Sequence, residues 1–133
     1  MSFNPRTESE NLGLMICFHN KYNLGDWHNI DHQKYTGWAH MGQQLKKQFD
    51  AAAILPIFLY DHGGLTMATA PFYCQWDSGQ VGFILVSKHD AAKHFGVTYC
   101  TKKIRNAARA ILTAEVEEYN NYLNGDDNDT DDE

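Results

Sequence analysis

The chain has 133 residues, 43% of them apolar and 13% aromatic, which suffices for one buried core and so for a single domain. No run approaches the roughly 20 apolar residues of a membrane helix, and the first positions lack the basic start and apolar stretch of a secretion signal, so a cytoplasmic protein without a membrane partner is expected. Net charge is −6, yet Asp126, Asp127, Asp129, Asp131, Asp132 and Glu133 hold six of the 17 acidic residues, leaving a body in which 11 acids balance 11 bases.

Residues 1–11 are polar, contain a proline and show no period, the pattern of a flexible arm dispensable for folding. The continuous apolar run Leu14 to Phe18 suits a strand buried on both faces and placed centrally in a sheet. From Asn20 to Gln33 turn formers dominate and predict an ordered loop. Between Lys34 and Asp50, Trp38, Met41, Leu45 and Phe49 recur at spacings of 3, 4 and 4, which predicts a helix with one apolar face.

Ile54 to Tyr60 reads as a second strand, with Pro56 at a strand start or a free edge because proline cannot donate to a ladder. Residues 61–79 mix Gly, Pro, Ser and Asp with large aromatics and are expected to fold back over the core. Val81 to Val86 is a third strand; Ser87 caps a short helix ending at Gly96, and Thr101 caps a last helix with its stripe on Ile104, Ala108, Ile111, Leu112, Glu115, Tyr119 and Leu123. The expected fold is α+β, a small three-stranded, possibly mixed sheet packed by two to three helices in the order βαββαα, over 12–124. Residues 125–133 form a disordered acidic tail, since like charges repel and bury no apolar surface.

Two polar clusters flank the strands. One is His19, Tyr22, Asp26, His28 and His32; the other is Tyr60, Asp61, His62, Cys74, Trp76, Asp77, Ser78 and Gln80. Loops leaving strand ends commonly hold sites, so both clusters could converge. His28 and His32 have the i, i+4 spacing of a zinc pair, but without an HExxH pattern or a firm helix no metal and no cofactor are expected. Cys74 with His62 and Asp61 or Asp77 supplies the residue types of a Cys/His/Asp nucleophile; the structural alternative makes the carboxylates turn caps and Cys74 core. Cys17 and Cys100 read as small buried hydrophobes. Phosphate-loop, dinucleotide and serine-hydrolase motifs are lacking. Lys102, Lys103, Arg105 and Arg109 make only a modest basic patch on a neutral body, so direct nucleic-acid binding is not expected.

The segments CFHNKYNLGD (17–26), LPIFLYDHGGLTM (55–67), PFYCQWDSGQVGFILVSK (71–88) and LTAEVEEYNNYL (112–123) resemble a family of small uncharacterised proteins encoded by phages and prophages. The resemblance implies further chain after the last helix in relatives, as an added strand pair, where this sequence carries the acidic run. It also implies an accessory product in the host cell cytoplasm that binds a host or phage protein through Tyr60, Asp61, His62, Trp76, Asp77, Ser78 and Gln80, and that could inhibit a defence system. Two other readings stand beside it. One is a small hydrolase or transferase using His19, Asp26, Asp61, His62, Cys74 and Asp77; the other is a homo-oligomeric phage component joined through the Pro56 edge.

Overall fold

A computed structural model describes residues 3–125, so the acidic run expected to be disordered lies, Gly125 apart, outside the described residues. The chain is α+β, but the sheet has four strands and every pairing is antiparallel, which corrects the expected three-stranded sheet. β1 (Leu14–Cys17), β2 (Ala51–Asp61), β3 (Leu65–Ala68) and β4 (Ser78–Ser87) lie in the order β1-β4-β2-β3. The helices are α1 (Pro5–Glu8), α2 (Trp38–Gln48), α3 (Lys88–Phe95) and α4 (Lys102–Asn124).

Alternation along the strands builds a core on each sheet face. Met15, Ile57, Ile84 and Val86 pack with Ala91 of α3 and with Ala108, Leu112 and Val116 of α4. Ile16, Phe83 and Leu85 pack with Met41 and Leu45 of α2, joined by Trp38 and Phe49 of the predicted stripe. A sheet covered on both faces explains why the strands read as unbroken apolar runs. The helix ends follow the sequence signals: Ser87 Oγ accepts from Asp90 N, Thr101 Oγ1 accepts from Ile104 N, and Gly96 and Gly125 are left-handed C-caps.

β1 is an edge strand, not the central one expected. Its outer flank is closed by the loop before Trp27: Asp26 N donates to Met15 O at 2.9 Å, and Met15 N donates to Asp26 Oδ2 at 2.7 Å. An edge satisfied in this way offers no template for another strand. Gly25 makes the approach feasible, with φ 77° and a position where a Cβ would lie 2.8 Å from Met15 O. Pro56 lies in a long interior strand, yet β3 pairs only with Phe58 to Asp61, so Pro56 has a strand neighbour on the β4 side alone, as a free edge requires.

The N-terminal segment is not a loose arm. Asn4 caps α1, and Arg6 reaches inward until its side chain is 1% exposed. Its Nε donates to Asp26 Oδ1 at 3.0 Å, Nη2 to Asp26 Oδ2 at 2.6 Å and to Gly13 O at 2.8 Å, and Nη1 to Glu115 Oε1 at 3.0 Å. Glu115 also accepts from Leu12 N at 2.7 Å and Gly13 N at 3.1 Å. Burial works against the guanidinium charge, but the hydrogen bonds and attraction of the two carboxylates outweigh it and raise the Arg6 pKa above its ordinary value. One network thus ties α1, the edge loop and α4 together.

Beside this network, burial first and then Asp26 push the Cys17 thiol up to about 12 from an ordinary 9.0, against a smaller opposing pull from Arg6. A thiol that stays neutral in the fold keeps its proton where the unfolded chain has lost it, so stability falls as pH rises from about 9 toward 12. Between pH 8 and 10 this contributes a loss of about 1.4 kcal/mol. Urea unfolding of Cys17→Ala at both pH values should show a slope flatter by that amount, whatever the variant's stability at pH 8. An unchanged slope would mean that the thiol titrates normally.

Candidate functional site

Antiparallel pairing brings the two polar clusters to one end of the sheet. The C-terminal end of β1 meets the start of β4 through Cys17 opposite Gly82, and the end of β2 meets it through Tyr60 opposite Ser78. Phe18 N donates to Val81 O at 2.7 Å and continues the ladder into the loop that carries His19. Two open clefts of about 590 and 370 Å³ result, sharing His19, Gln80 and Val81 as a common wall. The first is bounded by Phe18, His32 and Trp38; the second by Asp61, Trp76, Asp77 and Ser78. His19 Nδ1 accepts from Lys21 N at 3.0 Å and Tyr22 N at 3.1 Å, so in the neutral ring the proton sits on Nε2. Gln80 Nε2 donates to Gly82 O at 3.2 Å.

Not every candidate joins this group. Asp26 belongs to the Arg6 network described above. Tyr22 lies against the His19 ring, with centroids 5.0 Å apart, and is half-buried against the core. His28 contacts Cys17 O through Nε2 at 3.0 Å and accepts from Ile30 N through Nδ1 at 3.1 Å, which occupies both ring nitrogens. His32, by contrast, does line the first cleft: it begins a short 3-10 turn and packs on Phe18 at 5.0 Å. Among the described residues no three His, Cys, Asp or Glu side chains gather where a metal ion could be held.

The Cys74 constellation forms with a different connectivity from a nucleophile triad. Asp77 Oδ2 lies 3.1 Å from His62 Nδ1 and 3.9 Å from Cys74 Sγ, so the carboxylate stands between thiol and imidazole. In a working Cys/His/Asp arrangement the imidazole occupies that middle position and takes the thiol proton. Here Asp77 organises the turn: its carbonyl accepts from Asp61 N at 2.8 Å, and Ser78 Oγ donates to Cys74 O. Tyr60 lies 5.6 Å from Phe72 and 5.9 Å from His62, which lays part of the loop on the sheet.

The rest of that loop does not fold back over the core as expected. Leu65–Ala68 is strand β3, and beyond it Tyr73 and Trp76 stand fully in solvent, at 106% and 96% exposure. Trp76 was a candidate from sequence. Tyr73 was not, because an aromatic beside a Pro-Phe pair reads equally well as core.

The class defined by this geometry is a small α+β domain that presents aromatic side chains beside an open polar groove at one end of its sheet. Comparison with protein-family models, with curated proteins and with solved structures finds no match to the chain. Among the described residues no helix is long and apolar enough to cross a membrane.

Proposed function

We propose that the chain is a non-enzymatic accessory protein of phage or prophage origin that binds a host or phage protein, with inhibition of a defence system as the outcome, and that the partner seats on Tyr73 and Trp76. The observation carrying this reading is that both side chains project fully into water from one loop whose backbone is pinned through Asp77 and Ser78. Large exposed aromatics on a fixed loop lose little conformational freedom on binding and are the residue types that dominate interface energies. The adjoining groove, with Asp61, His19 and Gln80, supplies the polar rim.

The test is capture from infected and uninfected host lysates, followed by titration of the purified partner. Trp76→Ala should weaken binding about 30-fold, corresponding to about 2 kcal/mol, while thermal unfolding moves by less than about 0.5 kcal/mol. A partner held equally well by the Tyr73→Ala, Trp76→Ala double variant would sink the assignment of this loop.

A further inference from the structure

The other end of the sheet carries another cleft, about 630 Å³, between α3 and the start of α4. Lys88, His89, Lys93 and Arg105 line it, and Val97 and Tyr99 form an exposed lip. Lys88 is partly committed to Asp50 at 3.4 Å. Arg105 donates one guanidinium bond to Cys100 O at 3.2 Å, which orients the group.

The charges on α4 run against its macrodipole at both ends. Its first turn holds Lys102 and Lys103 and no acid, at the end where the helix dipole is already positive. Its last turn holds no base, and six acids follow in the sequence at 126–133. Each arrangement is unfavourable unless an opposite charge arrives from outside. The two ends are complementary to each other, and the distance between them favours a contact between molecules over one within a molecule. Arg105 is twenty residues before Gly125, about 30 Å along the helix. The eight residues from Asp126 to Glu133 span at most about 28 Å even when fully extended, so only the last acids of a stretched segment come within side-chain reach of Arg105 in the same molecule.

We infer that segment 126–133 of one copy docks in the Lys93 and Arg105 cleft of a second copy, so that the protein associates head to tail. Carboxylates meet the guanidinium fork and the lysine, and both misaligned helix ends are neutralised together. Such a contact joins two different surfaces, and each added copy leaves one cleft and one acidic segment free.

Sedimentation velocity over a range of concentrations at low salt tests this. The intact protein should grow in mean mass with concentration, and its association constant should fall at least about tenfold on moving to about 0.5 M salt. A version ending at Gly125 and a Lys93→Glu, Arg105→Glu version should each stay monomeric alone. Mixed in equal amounts, they should form a dimer and nothing larger, since only one cleft and one acidic segment remain between them. Because Arg105 also bonds backbone, Lys88→Glu with Lys93→Glu serves as a second cleft variant. Intact protein that stays monomeric at low salt, association that survives truncation at Gly125, or a mixture that fails to pair would overturn the inference. So would a monomer whose cleft captures a single-stranded oligonucleotide instead.

Discussion

Arg6→Ala is expected to lower folding stability by about 3–5 kcal/mol, because it leaves the buried Glu115 and the half-buried Asp26 as carboxylates without their cation. The loss is large against the roughly 5–15 kcal/mol that holds a domain of this size together. Urea unfolding at neutral pH measures it. Three features make the site sensitive: the guanidinium is almost wholly out of water, it donates to two acids and to Gly13 O, and those acids also hold the backbone of residues 12, 13 and 15. Removing residues 1–11 should act like the single substitution, and the effect should persist at high salt, where exposed ion pairs fade. Adding Glu115→Gln to Arg6→Ala should restore part of the loss, since one uncompensated charge is then gone. A deficit under about 1 kcal/mol would mean that the segment does not dock.

Gly82→Ala should be as damaging, about 3–5 kcal/mol or failure to fold, while Gly79→Ala three positions earlier should change stability by less than about 0.5 kcal/mol. A Cβ at Gly82 would lie 1.8 Å from Ile16 O, 2.8 Å from Ile16 C and 2.9 Å from Cys17 Cα, all backbone atoms of the neighbouring strand. No rotamer change relieves that overlap, so β1 must leave β4, taking the Phe18 to Val81 bond with it. At Gly79 a Cβ meets nothing within 4 Å. Thermal unfolding of the two variants side by side is the measurement. Equal behaviour would show that the close approach of β1 and β4 at Gly82 is not maintained.

That contrast also divides the DSGQVGFI stretch into parts with different duties. Gly82 is there so that two strands can touch, Asp77 and Ser78 fix a turn, and Trp76 just before them is left in solvent. Residue types alone made both a site and a demanding turn plausible; the turn is present, and the exposed Trp76 beside it is what the proposed binding role rests on.

Elements with strong period or clear caps were legible from sequence: the α2 stripe, the Ser87 and Thr101 caps, the apolar runs of β1, β2 and β4. What failed depended on tertiary contacts. β3 is four residues long between Gly63-Gly64 and a Pro-containing loop, too short for alternation to declare itself. β1 reads as central because both faces are buried, and nothing local says that a carboxylate eleven residues on will close its outer edge. The arm looked dispensable because Arg6 meets Glu115 more than a hundred positions away. In the candidate site, the convergence of His19 with Asp61, Asp77 and Gln80 could be anticipated once strand ends were placed. The order of contacts around Asp77 could not, since the residue types of a triad do not say which of them stands in the middle.

The span of the Arg6 network sets a timetable for the nascent chain. Arg6 is made among the first residues and Glu115 is 109 positions later, while β1 must wait for Gly82 to Leu85 before it has a neighbour. At roughly 5–20 residues per second, the Met15-Ile16-Cys17 segment emerges and then waits several seconds or more with nothing to pair with. The Arg6 lock therefore cannot close before Glu115 has been made, and until β4 is made the apolar Met15-Ile16-Cys17 segment depends on whatever shields nascent chains in the cell.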